Sequence, residues 1–284
     1  MKKQQAIVAG TGIIILVIFY FFGKTVPPVK KPDSPAQSPA TTQSLDIKTI
    51  LDAGKSKLSP EQLAYVNRLE NSVVRGNVKD QQIEADRELA SFWKDSVENG
   101  FLAYAYYTGE ASKLENSEKS LTFAAQLFLN NLRGQDNPEL KNWMAAESRN
   151  LFERAILLNP DNDSTKIGLG ATYIFGSSGV QPADVMKGIQ EILAVIRKDS
   201  LNMYAQLMLG LGGIESGQYD KAIPRLLKVV HFDPGNLEAV LSLAEAYERT
   251  GNTEAAKSWY GQGIKLTKNP ELIKAINDRL SSLK

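Results

Sequence analysis

The sequence predicts an all-α fold: a right-handed α-α superhelical solenoid of antiparallel helix pairs, preceded by a single N-terminal transmembrane helix. Three observations predict it. From Leu45 onward, apolar residues recur at helical period between short turn signals, with no strand-like alternation. In the C-terminal half the same residue types return 34 positions later. Finally, Ala6 to Gly23 is an apolar run without a charge.

The N-terminal elements follow from composition. Residues 1–5 form a short basic tail carrying Lys2 and Lys3. The run at 6–23 has Ile13-Ile14-Ile15-Leu16-Val17-Ile18 at its centre and Phe19-Tyr20-Phe21-Phe22 at its end. At ~1.5 Å per residue it spans about 27 Å, close to the hydrocarbon thickness of a lipid bilayer. The terminal aromatics suit a lipid–water interface. The competing reading is a cleaved signal peptide. The run is longer than the usual apolar stretch of one, and bulky Phe21 and Phe22 stand where cleavage needs small residues. Lys2 and Lys3 on one side and Lys24, Lys30 and Lys31 on the other nearly balance the positive-inside rule. The very short tail favours a cytoplasmic N terminus. That puts the rest of the chain in a bacterial periplasm, at the inner membrane, with the cytoplasmic orientation as the alternative. Residues 24–44 contain five prolines and almost no large apolar side chain. Such a segment buries too little surface to fold and reads as an extended tether of up to ~65 Å.

Composition also narrows the chemistry. The chain is 43% hydrophobic and 23% charged, enough apolar content for a real core. Its 33 basic and 32 acidic residues leave no basic excess for nucleic acid. With no cysteine and one histidine, disulfides, thiolate nucleophiles and imidazole metal clusters drop out, and neither a metal nor a cofactor is expected.

The repeats are visible in the chain itself. Leu209, Gly210, Gly217 and Ala222 recur as Leu243, Ala244, Gly251 and Ala256, each 34 positions on. Leu169, Gly170 and Tyr173 match Leu243, Ala244 and Tyr247, and Gly188 stands where Ala222 and Ala256 occur. That copy is six residues longer, with the excess in 176–182. Leu157-Leu158-Asn159-Pro160 matches the end of Val229 to Pro234, with Phe152 and Ala155 on the apolar face. Gly210 and Ala222 lack bulk where paired helices cross. Leu209, Leu226 and Val229 fill the layer between neighbours, and Pro234 stops its helix because it cannot continue the hydrogen-bond ladder. Helix starts are marked by Ser59-Pro60-Glu61-Gln62, Asn137-Pro138-Glu139 and Asn269-Pro270-Glu271.

This pattern resembles the tetratricopeptide-repeat family, whose 34-residue unit is two antiparallel helices. The register is regular over 163–267; the copy at 117–160 departs from it in a longer connection, Arg133 to Asn137. The organisation is therefore N-terminal helices or a degenerate repeat at 45–116, repeats at 117–269, and a capping helix at 270–284. Within 45–116, helices are expected over 80–94 and 100–114, with one or two shorter ones over 46–76. The cap carries Leu272, Ile273, Ile276, Leu280 and Leu283 on one face.

Several motifs invite catalytic readings. Ser91 and Lys94 fit the S-x-x-K spacing, but the S-D-N and K-T-G elements that complete such a site are absent. Gly168-Leu169-Gly170 and Gly210-Leu211-Gly212-Gly213 lie inside repeat helices and read as crossing contacts, not nucleotide loops. Gly176 to Gly179 reads as a loop hinge, and His231 as a residue at a helix C-terminus. No enzymatic constellation emerges.

The resemblance implies that the first helices line a concave face that takes peptides. The corresponding positions are Ile167, Ala171 and Ile174; Tyr204, Leu207, Leu211 and Ile214; and Glu238, Leu241, Glu245 and Glu248. Family members that clamp a terminal carboxylate use lysine, asparagine and arginine there, and this chain has none of them. The expectation is a ligand with an apolar anchor and a basic flank; the alternative is that these apolar residues pack against adjacent helices. The function that follows is a membrane-tethered, protein-binding scaffold or adaptor, with a self-associating structural component of the cell envelope, a homo-oligomer, as the rival.

Overall fold

The computed structural model describes residues 45–75, 78–176 and 182–283. The expected tail, anchor and tether at 1–44, and the hinge beyond Gly176, lie outside these residues. Among the described residues no helix is long and apolar enough to cross a membrane.

Thirteen helices and no strand are found among the described residues. They are α1 (Ile47–Lys55), α2 (Pro60–Arg75), α3 (Lys79–Ser96), α4 (Phe101–Glu115), α5 (Glu118–Leu132), α6 (Pro138–Leu158), α7 (Asp163–Phe175), α8 (Pro182–Lys198), α9 (Met203–Glu215), α10 (Tyr219–Phe232), α11 (Leu237–Arg249), α12 (Thr253–Leu266) and α13 (Pro270–Ser282). Polar side chains set where they start. Asn162, Asn202 and Asn236 open α7, α9 and α11, each accepting a first-turn backbone N–H, at 3.2, 3.0 and 2.9 Å for Thr165, Ala205 and Ala239. At α2 the capping box is reciprocal: Ser59 Oγ accepts from the Gln62 N–H at 3.2 Å, and Gln62 Oε1 accepts from the Ser59 N–H at 3.0 Å.

Short connections make successive helices antiparallel partners. The closest packing is α3 on α4, α5 on α6, α7 on α8, α9 on α10 and α11 on α12. From α5 onward the first helices also pack in a row, α5–α7–α9–α11, and each second helix packs on the next first helix. Gly217 and Gly251, at φ +70° and +80°, make the turns inside two of these pairs, a left-handed backbone that a side chain resists.

The core is three clusters. The largest runs from Ala105 of α4 through α5 to α11, with Phe128, Met144, Phe152, Ile167, Ile192, Leu211 and Leu226 all buried. A second joins α1 to α4 through Leu51, Val66, Leu89, Trp93 and Tyr107. A third seats α13 on the last pair through Ala244, Ala256, Tyr260 and Ile276. Burying each large apolar side chain contributes roughly 1.5–3 kcal/mol, so the row is held chiefly by this packing.

The small residues work where the register puts them. A Cβ on Gly188 would lie 2.5 Å from the Gly170 carbonyl oxygen, and one on Gly170 2.6 Å from the Gly188 carbonyl oxygen. The backbones of α7 and α8 thus touch. On Gly168 a Cβ would meet the Phe152 ring at 2.3 Å, and on Gly210 the Leu226 side chain at 2.8 Å. Gly261 in α12, by contrast, has nothing within 4 Å.

Helix propensity alone favours alanine over glycine by about 1 kcal/mol in either place. Gly261→Ala is therefore expected to raise the thermal midpoint, and Gly188→Ala to lower it, because its methyl meets backbone that cannot move aside. Matching gains for both variants in thermal melts would contradict the close approach of α7 and α8.

Candidate functional site

The row of first helices is where the sequence places a ligand, and its side chains can be followed one helix at a time. On α7, Ile167 and Ala171 are fully buried and Ile174 is 8% exposed. On α9, Leu207, Leu211 and Ile214 are buried as well. Leu241 on α11 packs into its own pair, where a Cβ on Gly263 would meet its Cδ2 at 2.5 Å. These apolar residues pack against adjacent helices, the alternative that the sequence left open.

The reason is visible on either side of α7. The Tyr204 hydroxyl of α9 donates to Gln126 Oε1 of α5 at 3.1 Å, and Gln126 Nε2 donates to Asn130 Oδ1 at 2.7 Å. Burial pushes the Tyr204 hydroxyl above its usual pKa. Arg133, just past α5, donates to Glu238 Oε1 of α11 at 2.8 Å and to Glu215 Oε1 of α9 at 3.3 Å. Its guanidinium also stands 5.6 Å from the centre of the Phe175 ring. Side chains of α5 thus join α9 and α11 across α7, the helix between them in the row.

Each carboxylate of the acidic end has a cation of this chain nearby. Glu238 has Arg133, and Glu245 has Arg249 at 3.9 Å. Glu248 accepts from Arg279 of the capping helix and, at 3.0 Å, from the Tyr260 hydroxyl. Burial would raise the Glu248 carboxyl, but the hydrogen bonds from Arg279 and Tyr260 outweigh it and hold the pKa below the usual range. Burial and the same carboxylate push Tyr260 up to about 12. Of the repeat-defining positions, Gly170, Gly188, Gly210, Ala222, Ala244 and Ala256 are buried at helix crossings, and Leu209 and Leu243 lie in the core. Leu169, Tyr173 and Tyr247 are half-buried at its edge, and exposed Pro234 follows α10. His231 is exposed on the last turn of α10, and no group of three or more metal-ligating side chains occurs among the described residues.

One feature was not anticipated from the sequence: a cleft of about 360 Å³ between α3, α4 and the first turns of α5. It contains Ser91 and Lys94. Ser91 donates its hydroxyl to Asp95 Oδ2 at 3.0 Å, and the Lys94 ammonium stands 5.7 Å from the centre of the Tyr104 ring. The serine is thus committed to a carboxylate, and the lysine to an aromatic face.

Comparison with known proteins bears on the C-terminal part of this arrangement. A tetratricopeptide repeat family model matches residues 214–276. The tetratricopeptide match runs from the end of α9 into α13, through the α11–α12 pair where the register is most regular. No curated protein matches the sequence. Among solved structures, MamA is similar at 15% identity and a TM-score of 0.41, covering 65% of this chain and 91% of that one. A MamA fragment from Desulfovibrio magneticus RS-1 gives 17% identity and 0.40, covering 73% and 96%. YrrB, described as a tetratricopeptide protein with an unusual peptide-binding site, gives 15% and 0.40, covering 76% and 99%.

N-terminal to the tetratricopeptide match, α3 carries a buried carboxylate. Asp86 is 3% exposed; burial, with Glu110 adding to it, pushes its pKa from 3.8 up to about 7. The folded chain therefore holds a proton that the unfolded chain releases near pH 4, and stability falls as pH rises from there to about 7. Asp86→Asn removes the buried charge and is expected to raise the thermal midpoint by several degrees at pH 8, with the gain shrinking toward pH 4. An equal gain at both ends of that range would sink the assignment.

Proposed function

We propose that this chain is a non-catalytic scaffold that binds a protein or peptide partner and is held at the bacterial inner membrane by residues 6–23, with its repeat domain in the periplasm. The observation that carries the reading is the continuity of the stack. The match at 214–276 covers its C-terminal end, and the same pairing of helices, with the same small residues at the crossings, extends back through α7 and α8. A right-handed winding, as in tetratricopeptide arrays, belongs to the same proposal. Support for the tether is in the sequence: an apolar run of bilayer length, then a proline-rich segment that spaces the stack from the membrane surface.

One observation favours the self-associating alternative. Leu158, Phe232 and Leu266, the last residues of α6, α10 and α12, are 46%, 70% and 39% exposed, and Phe232 and Leu266 are one 34-residue period apart. Exposed apolar side chains repeated at one edge are an association liability unless something covers them.

In-cell crosslinking of the full-length chain, followed by purification in detergent, separates the readings. The scaffold predicts a distinct protein crosslinked to it and confirmed by reciprocal capture. Self-crosslinks alone, abolished by Phe232→Ser, would replace it with the homo-oligomer. For topology, a reporter fused after Lys284 that is active only in the periplasm is expected to be active; an inactive fusion with a matching cytoplasmic reporter active would reverse the orientation.

A further inference from the structure

Helix α4 has two buried faces. Ala105 belongs to the large cluster that continues through α5 to α11, while Ala103 and Tyr107 belong to the cluster shared with α1–α3. Helix α3 packs closely on α2 and on α4 but not on α5, and no other close packing joins α1–α3 to the stack. The first three helices are therefore seated on α4. Two polar contacts cross the same boundary. The Tyr107 hydroxyl donates to Glu70 Oε1 of α2 at 2.5 Å, and Arg87 of α3 pairs with Glu115 of α4 at 2.8 Å.

Asp86 lies on the α3 side of this boundary, 3% exposed. Glu110, Tyr106 and Tyr107 of α4 stand close enough to share its field, with Glu70 of α2 bonded to Tyr107 beyond. The surrounding cations are committed elsewhere. Lys113 of α4 pairs with Glu110 and with Glu147 of α6, both at 2.8 Å. Lys55 of α1 pairs with Glu70 at 2.9 Å and Asp52 at 3.0 Å, and Arg87 also reaches Glu84 at 3.9 Å. Asp86 itself has no ion pair among the described residues. A carboxylate buried without a cation is costly, so the closed interface favours the neutral acid. Burial, with Glu110 adding to it, pushes the Asp86 pKa up to about 7. Once water reaches the side chain, it regains its ordinary acidity and the proton passes to solvent.

We infer that α1–α3 form a proton-gated cap, seated on α4 while the Asp86 carboxyl is neutral and released as it ionises, with the repeats left folded. Release uncovers Ala103 and Tyr107, the face of α4 on which the cap sits. This goes beyond the scaffold reading and does not depend on a partner. The direction follows from which state holds the proton. The seated cap keeps it up to about pH 7 and the open cap gives it up near pH 4. Each pH unit between those values therefore favours opening by up to about tenfold, and above pH 7 the dependence levels off.

Hydrogen exchange of the full-length chain in detergent, read by mass spectrometry at pH 5, 7 and 8 and corrected for the intrinsic rate at each pH, tests this. Amides of α1–α3 are expected to lose at least tenfold in protection from pH 5 to 7 and little more by pH 8, where they exchange well before those of α7–α10. Asp86→Asn should remove the pH dependence and keep the cap protected at pH 8. Should that variant misfold, Glu110→Gln decides: with the neighbouring charge gone, the loss should level off at a lower pH. The cap is overturned if α1–α3 and α7–α10 exchange together at pH 8, if protection of α1–α3 does not change with pH, or if Asp86→Asn keeps the full pH dependence.

Discussion

The structure depends on how closely paired helices approach at small residues. At the crossing of α7 and α8 the carbonyl oxygens of Gly170 and Gly188 each lie where the other's methyl would be. Glycine in a helix interior costs about 1 kcal/mol of propensity, and a chain would not repeat that loss at matching register without a return. The return is close packing. When backbones touch, side chains packed against α7 such as Phe152 and Ile192 are fully enclosed. Each repeats the burial gain that a single pair could not secure alone. Where the constraint is absent, as at Gly261, the surroundings are open.

The same tightness packs the apolar side chains of the first helices against their neighbours. First helices near enough to bury Ile167, Ala171 and Leu211 are also near enough for longer polar side chains to span them. Tyr204 with Gln126, and Arg133 with Glu215 and Glu238, connect α5 to helices one and two places beyond α7. Such partly exposed contacts add little stability individually. Their consequence is geometric: they tie the first helices of the row to one another across α7.

The N-terminal pair follows different rules. Aromatic packing by Trp93 and Tyr107 holds α1–α4 together, and Asp86 sits buried in α3 with no ion pair among the described residues. α3 lacks close packing on α5, and Phe123 stays exposed beside the cleft there.

Much of the fold was legible in the chain. Periodicity, asparagine and serine caps, and the 34-residue recurrence are local or nearly local signals, and they placed helix boundaries such as those at Ser59, Asn137 and Asn269 close to where the structure has them. The small residues at crossings were legible for the same reason, since they recur in register. What the sequence by itself determined is therefore the helices, their pairing and their spacing. Only the tertiary structure decided which surface stays accessible. Burial of Ile167 or Leu207 and the pairing of Glu238 with Arg133, 105 positions away, depend on contacts between elements distant in the chain. So does the gap between α3 and α5, because accessibility is set by what neighbouring helices leave uncovered and no periodicity encodes it.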